Sequence, residues 1–175
     1  MNTLELEKIL TRLIPPCLCN FLGVFARDSI PHLDDSLTYP LCFVSNTHTR
    51  GKPGEHWVAF FYVSSNFLEF FDSYGLHPSL YDFTNFSPQI FNEKTLQSLD
   101  SNVCGQYCIF FLFLRSRGKT LKEIIRPFSS HDHSWNDKSL VRRLSKYLSF
   151  PIHCPPTHSC QSSVKRKCTS LCCQK

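Results

Sequence analysis

The stretch HWVAFFYV-SSN-FLEFF, residues 56–71, decides the fold. Both apolar runs are rich in the aromatic and β-branched residues that favour strands, and the polar link between them is short enough for a hairpin. We therefore predict two antiparallel strands, at residues 56–63 and 67–71. In such a hairpin, His56 at the start of one strand and Asp72 after the end of the next lie at the same edge of the sheet.

Upstream of the hairpin, the pattern predicts a helix and a further strand. Residues 2–13 carry leucine and isoleucine at helical spacing, with Asn2 and Glu5 in the positions of a capping box. Residues 41–45 follow a proline and are typical of a strand, and residues 47–55 form a polar loop. Paired phenylalanines on the predicted strands indicate a sheet that is covered on both faces.

Downstream of the hairpin, the sequence is harder to assign. Residues 76–95 contain several prolines and aromatics, and they predict no regular element. Residues 105–117 are apolar nearly all round, which fits either a buried strand or a central helix. Two further helices are predicted at residues 121–126 and 138–148, and Pro151 ends the second.

Length and charge divide the chain into two parts. Its 175 residues predict one domain, 1–150, followed by a basic, cysteine-rich tail, 151–175, which we expect to be flexible. The domain holds 15 lysines and arginines against 14 acidic residues, whereas the tail holds four basic residues and no acidic one. No run reaches the roughly 18 apolar residues of a membrane helix, and the acidic start is unlike a secretion signal. We expect an intracellular protein.

Cys104 is the candidate nucleophile. A thiol attacks a carbonyl as the thiolate, and it needs a base, a group that orients the base, and donors for the oxyanion. Cys104 stands at the start of the apolar run, where a helix dipole would stabilise an anion. Gly105 would let the backbone and a substrate approach closely. The competing interpretation is a buried structural cysteine, which is the commoner role of this residue type.

His56, Asp72 and Gln97 are the candidate partners of this thiol. Taken singly, they have ordinary interpretations as a packed histidine, a turn-forming aspartate and a surface amide. The pairing is more informative, because an aspartate at the same sheet edge can hold the tautomer of an imidazole.

The chain resembles the adenovirus protease (adenain) family, which is related to the ubiquitin-like-protein peptidases, over roughly residues 4–150. The resemblance rests on an ordered set of motifs: FLG at 21–23, NT at 46–47, GEHWVAF at 54–60, FDSYG at 71–75, Q at 97 and SNVCGQYC at 101–108.

The resemblance implies an α+β fold of the papain-like cysteine-peptidase class, with a central mixed sheet and a buried helix that carries the nucleophile. By position, it implies Cys104 as nucleophile, His56 as general base and Asp72 as the acid that orients the base. Gln97 and the backbone N–H of Cys104 would form the oxyanion hole. Trp57 would pack near the active site, although an ordinary strand residue explains it nearly as well.

The family implies a cysteine endopeptidase that processes viral or virus-like-transposon capsid and core precursors at Gly-containing sites, in the host nucleus or the virion. Adenain has Glu where this chain has Asp72, and the ubiquitin-like-protein peptidases have Asp. An isopeptidase that removes ubiquitin-like modifiers is therefore one alternative, and an inactive DNA-associated scaffold is another. The chemistry needs no metal or cofactor, and we expect a monomer that acts on protein substrates.

The tail resembles a known kind of activator. Adenain is stimulated by DNA and by a short basic peptide that ends in Cys-Phe and adds a strand to its sheet. Residues 160–169, CQSSVKRKCT, resemble that peptide and predict a built-in activating strand. Lys165, Arg166 and Lys167 are the candidate nucleic-acid-binding residues. A structural zinc site and a disordered tail that attracts DNA by charge are the competing interpretations.

Overall fold

The computed structural model describes residues 1–34 and 36–149, which form an α+β fold around one five-stranded mixed sheet. The strands are β1 (Asn20–Phe25), β2 (Leu41–Asn46), β3 (Trp57–Ser64), β4 (Phe67–Phe71) and β5 (Ile90–Phe91). The helices are α1 (Thr3–Leu13), α2 (Cys104–Arg115), α3 (Leu121–Ile125) and α4 (His133–Ser149), with 3₁₀ turns at Arg27–Ser29 and Pro78–Tyr81. Strand order in the sheet follows chain order, and the two outer pairs are parallel while the two inner pairs are antiparallel.

The predicted hairpin is confirmed as the centre of the sheet. β4 has the predicted bounds, and β3 pairs with it in antiparallel register from Ala59 opposite Phe71 to Ser64 opposite Phe67. β3 begins at Trp57, one residue later than predicted, so His56 lies just outside the strand. This small difference matters, because side chains alternate between the two sheet faces only within a strand, and a residue just before the strand can point along the edge of the sheet.

Both faces of the sheet are covered, as the paired phenylalanines predict. Successive strand side chains point to opposite faces, so Phe61 and Phe71 pack with the helices while Phe60 and Phe70 pack on the other side. The second face is closed by aromatic and aliphatic residues of the connecting segments rather than by helices, including Phe83 and the partly buried Phe86. The helices therefore all lie on the face that also carries Cys104.

Helix α2 resolves the open choice for the apolar run in favour of a helix. Nine of its residues are buried, and its ring Phe111 stacks on Phe71 of the sheet with centroids 4.7 Å apart. Its C-terminal end is fixed by Arg115, which makes two hydrogen bonds to the buried carboxylate of Glu69 in β4, at 2.7 and 3.0 Å. The helix is thus clamped to the sheet at the end opposite Cys104.

The remaining helices follow the prediction with shifted ends. The capping box of α1 is present, since Asn2 Oδ1 accepts from the Glu5 N–H at 3.0 Å and Glu5 returns the bond at 2.9 Å. α3 ends one residue before the predicted bound. α4 begins five residues earlier than predicted, because the side chain of Asp132 caps the N–H of Trp135 at 2.8 Å ahead of the apolar stripe.

Strands β1 and β5 have no counterpart in the sequence prediction. β1 contains Gly23 at φ +135°, and its register with β2 shifts between Phe21 and Val24. That irregularity breaks the alternation that identifies a strand. β5 has two residues and lies in the segment that predicts no element.

In the part of the chain that the structure describes, no helix is both long and apolar enough to cross a membrane.

Candidate active site

His56 lies at the mouth of the hairpin and is buried. Its carbonyl accepts a hydrogen bond from the N–H of Thr47 at 2.9 Å, which fixes the backbone where the polar loop after β2 returns to the sheet. Its ring Nε2 is 2.5 Å from Oδ1 of Asp72. The structure thus brings together the two residues that the hairpin argument places at one sheet edge, and it leaves the other ring nitrogen for a second partner.

Asp72 is fully buried and holds its own turn in place. Oδ1 also accepts from the backbone N–H of Tyr74 at 3.0 Å, and Oδ2 accepts from the N–H of Leu76 at 2.9 Å. The backbone of Asp72 is bound on both sides by the amide of Asn92, which accepts from its N–H at 3.0 Å and donates to its carbonyl at 2.5 Å. A carboxylate held in this way presents one fixed oxygen to the imidazole.

Cys104 is the first residue of α2 and faces His56. The residue is 9 % exposed, and its thiol lies close enough to the imidazole for each group to shift the pKa of the other. Val103, just before the helix, has no polar side chain to cap the first turn. The N–H groups of that turn are therefore available to an anion at the thiol or beside it.

The pKa values of His56 and Cys104 are shifted in opposite directions. Burial by itself lowers the pKa of His56, but the hydrogen bonds and charges of Asp72 and Cys104 outweigh it and raise the pKa to about 9. Burial raises the pKa of Cys104, but the hydrogen bond and charge of His56 hold it below the ordinary thiol value, with help from backbone groups of Trp57 and Gly105. Both shifts favour the thiolate–imidazolium form of the pair over its neutral form, relative to the two groups apart.

Cys108, one helical turn further on, provides a contrast. Its thiol is fully buried against the carbonyl of Trp57, at 3.3 Å, and burial raises its pKa. Cys108 thus fills the core, and the interactions that shift its pKa include no imidazole, in contrast to those of Cys104.

Gln97 is buried rather than a surface amide. Its Oε1 accepts from the hydroxyl of Ser73 at 2.7 Å, and its Nε2 donates to the carbonyl of Ser101 at 2.7 Å. The same nitrogen is 3.4 Å from the hydroxyl of Tyr74. The amide thus donates both to the turn that leads into α2 and, over a longer distance, to the Tyr74 hydroxyl, so an oxyanion would have to replace Tyr74 as an acceptor.

Two tyrosines complete the site, and the sequence argument missed both. The ring of Tyr74 stacks on His56 with centroids 4.6 Å apart, and the ring of Tyr81 lies 5.8 Å away and tilted. The hydroxyl of Tyr81 donates to Oδ2 of Asp72 at 3.0 Å. Tyr74 belongs to the motif at residues 71–75 without a role of its own, and Tyr81 falls within residues 76–95, where no periodic pattern identifies it.

Trp57 and Gly105 lie beside the thiol but have an unexpected neighbour. The indole N–H of Trp57 donates to the carbonyl of Met1 at 3.3 Å, and a Cβ added to Gly105 would lie 3.2 Å from the Met1 sulfur. In the structure, the close approach that Gly105 permits is thus made by the N-terminal residues. A cavity of about 370 Å³ continues from there, lined by Trp57, Met1, Asn46, Arg50 and their neighbours.

Several sequence predictions lie outside the described residues. Lys165, Arg166 and Lys167, the strand proposed at residues 160–169 and the histidines and cysteines of the tail all belong to this part. Within residues 1–34 and 36–149, no group of three or more His, Cys, Asp or Glu side chains is arranged to hold a metal ion.

Comparison with known proteins adds no relative. No protein-family model matches the chain, and a search of curated proteins finds no match. The adenain-like family therefore stays a prediction from the motifs.

Proposed function

We propose that the chain is a cysteine endopeptidase of the papain-like class, with Cys104 as nucleophile and His56 as general base. The observation that carries this proposal is the buried imidazole between the carboxylate of Asp72 and the thiol of Cys104 at a helix N-terminus. Structural ion pairs can also displace pKa values. A buried thiol beside such a pair, at the start of a helix without a side-chain cap, has the parts that nucleophilic catalysis requires.

The mechanism follows from these contacts. His56 takes the proton of Cys104 on the ring nitrogen that Asp72 does not hold, and the thiolate attacks the peptide carbonyl. The new C–S bond pushes the carbonyl electron pair onto oxygen, where the N–H of Cys104 and the second amide N–H of Gln97 stabilise it. Collapse breaks the C–N bond, and His56 protonates the leaving amine. Water then attacks the thioester with His56 as base, which restores the thiolate.

The proposed substrates are precursor proteins cut at Gly-containing sites. The motif resemblance to adenain supports capsid or core precursors of a virus or virus-like transposon, processed in the host nucleus or virion. The walls beside the thiol also suit a small residue, because Trp57 and the N-terminal Met1 crowd the approach to Gly105. DNA and a basic peptide strand are the proposed activators.

An isopeptidase that removes ubiquitin-like modifiers is the second candidate. Asp72 favours it, because the related modifier-specific peptidases have aspartate at this position. Such modifiers end in small residues, which the crowded approach at Trp57 would equally accept. An inactive scaffold has less support, because binding alone would not require the mutual arrangement of His56, Asp72 and Cys104.

Hydrolysis of two fluorogenic substrates tests the proposal. One carries a Gly-X-Gly peptide and the other the C-terminus of a ubiquitin-like protein, each with and without DNA. We expect turnover by the wild type, none by Cys104→Ala, and near-normal turnover by the matched control Cys108→Ala after correction for folded fraction. Hydrolysis that survives in Cys104→Ala would remove the proposal, and the preferred substrate separates endopeptidase from isopeptidase.

A further inference from the structure

The carboxylate of Asp72 has a second side-chain donor besides His56. Its Oδ1 accepts hydrogen bonds from His56 and one backbone N–H. Its Oδ2 accepts from the N–H of Leu76 and the hydroxyl of Tyr81, at 2.9 and 3.0 Å. The two backbone bonds already fix the orientation of the carboxylate. The Tyr81 hydroxyl is therefore not needed to hold Asp72 in place, and its effect falls on the charge of the carboxylate.

The position of Tyr81 is fixed through its own backbone. It ends the 3₁₀ turn Pro78–Tyr81, and its carbonyl accepts from Arg27 at 2.9 Å. The same guanidinium group pairs with Asp82 at 2.7 Å, and Asp82 adopts φ +58°. Arg27, which follows β1, thus anchors residues 81–82 on the second sheet face, in the position where the Tyr81 hydroxyl reaches Asp72.

We propose, on the basis of the peptidase function above, that Tyr81 is a positioning residue whose hydroxyl draws charge from Asp72 and so limits how tightly Asp72 holds the His56 proton. A donor on a carboxylate stabilises its charge and lowers its affinity for a shared proton. His56 must later give its proton to the leaving amine. A carboxylate without the Tyr81 bond would retain that proton more strongly and slow the step.

The groups around His56 leave Tyr81 as a neutral donor across the working pH range. Burial, and then the charge of Asp72, raise the pKa of Tyr81 well above its ordinary value. The titratable groups that face the imidazole or its aromatic neighbours come from five elements: Glu55 before β3, Asp72 and Tyr74 after β4, Tyr81 in the 3₁₀ turn, Cys104 in α2 and Asp137 in α4. Among these groups, His56 and Cys104 shift the pKa values of each other.

Titration of His56 by ¹⁵N-histidine NMR tests the proposal without relying on peptide cleavage. In Tyr81→Phe, the His56 midpoint should rise by about 0.5 to 1 unit, the size expected for one lost hydrogen bond to a carboxylate. The control Tyr62→Phe removes a hydroxyl from the same sheet face but near the end of β3 that is remote from His56, and it should leave the midpoint unchanged. An unchanged or lower midpoint in natively folded Tyr81→Phe would overturn the proposal.

Peptide kinetics provide the second readout. For Tyr81→Phe we expect kcat to fall about tenfold with KM unchanged, and the alkaline limb of the pH profile to move up with the NMR midpoint. A fall in activity that only follows the loss of folded protein would contradict the proposal. If Tyr81→Phe does not fold, Arg27→Gln releases the anchor of Tyr81 and should shift the midpoint in the same direction. If the wild type cleaves nothing, the peptidase proposal fails while the NMR result still decides the role of Tyr81.

Discussion

Asp72 combines two tasks that an aspartate can perform at this position and a longer acid would not. Its carboxylate accepts from the N–H groups two and four residues ahead, at 3.0 and 2.9 Å, which is how short acidic side chains build turns. The same group reaches His56 at 2.5 Å. A glutamate would place its oxygens one methylene further from the backbone and lose the turn bonds. The local geometry thus favours aspartate over glutamate at this residue.

Replacement of Asp72 by asparagine should move the pH profile as well as the rate. The hydrogen bond of Asp72 is the largest of the interactions that raise the pKa of His56 to about 9, so its loss should shift the alkaline limb of kcat/KM down toward neutral pH. We also expect kcat/KM to fall about 10²–10⁴-fold. Asp28→Asn, which neutralises an exposed carboxylate, is the control. An alkaline limb that stays near 9 in Asp72→Asn would contradict the assigned role.

Replacement of Gln97 by alanine tests the oxyanion role. We expect kcat to fall about 10²–10³-fold with little change in KM, the effect of one lost oxyanion donor. Gln89→Ala is the matched control, because the Gln89 amide accepts from the Leu68 N–H at 2.6 Å at another part of the sheet. A loss of kcat below about threefold would assign Gln97 only to holding the Ser101 turn.

The site residues differ in how far the sequence could predict them. The approach of His56 and Asp72 follows from hairpin geometry, whereas Cys104 was predicted from the motif resemblance, with its place at the start of an apolar run as a favourable setting. The burial of Gln97 did not follow, because the polar segment around it gives no sign of its bonds to Ser73 and Ser101. Tertiary contacts of this kind have no local pattern to reveal them.

Helix α2 is the element that joins the candidate chemistry to the fold. It carries Cys104 at one end and Arg115 at the other, where the guanidinium group binds Glu69 and lies 4.6 Å over the ring of Phe61. The apolar run predicted a buried element, but only the packing decides that it is a helix. Conversely, β1 escaped prediction because Gly23 and a register shift interrupt its pattern.

Removal of Arg115 should destabilise the domain more than its partly buried position suggests. Arg115→Ala leaves the carboxylate of Glu69 buried without its ion-pair partner, which should cost about 3–5 kcal/mol in urea unfolding. The double variant with Glu69→Gln should recover a large part of this loss. If Arg115→Ala alone lowers the free energy of unfolding by no more than about 1 kcal/mol, the pair contributes only as much as a surface ion pair, which would contradict the prediction.

At the scale of the whole molecule, the described residues close a core on both sheet faces. Residues of the sheet, of its connecting segments and of all four helices cover both faces without any contribution from beyond Ser149 being needed. We expect a chain that ends at Ser149 to keep its thermal midpoint, as measured by the loss of circular dichroism on heating.

Truncation after Ser149 also tests the proposed role of the tail. If residues 160–169 act as an activating strand, peptide hydrolysis should fall, and unchanged hydrolysis would remove that idea. The four basic residues of the tail should also contribute to DNA affinity. Truncation should therefore reduce the slope of log K for DNA binding against log salt concentration by about three to four. If truncation leaves this slope unchanged, the tail does not contact the DNA phosphates.

Covalent labelling tests the central claim, which is that Cys104 is the activated thiol. The full chain is treated with a peptide vinyl sulfone that ends in glycine, and the modified residue is found by peptide mapping. We predict one label per chain on Cys104, none in Cys104→Ala, slower labelling in His56→Ala, and no label on the exposed Cys17 at the same concentration. A label on Cys17 or any other thiol, equal in the wild type and Cys104→Ala, would contradict the account.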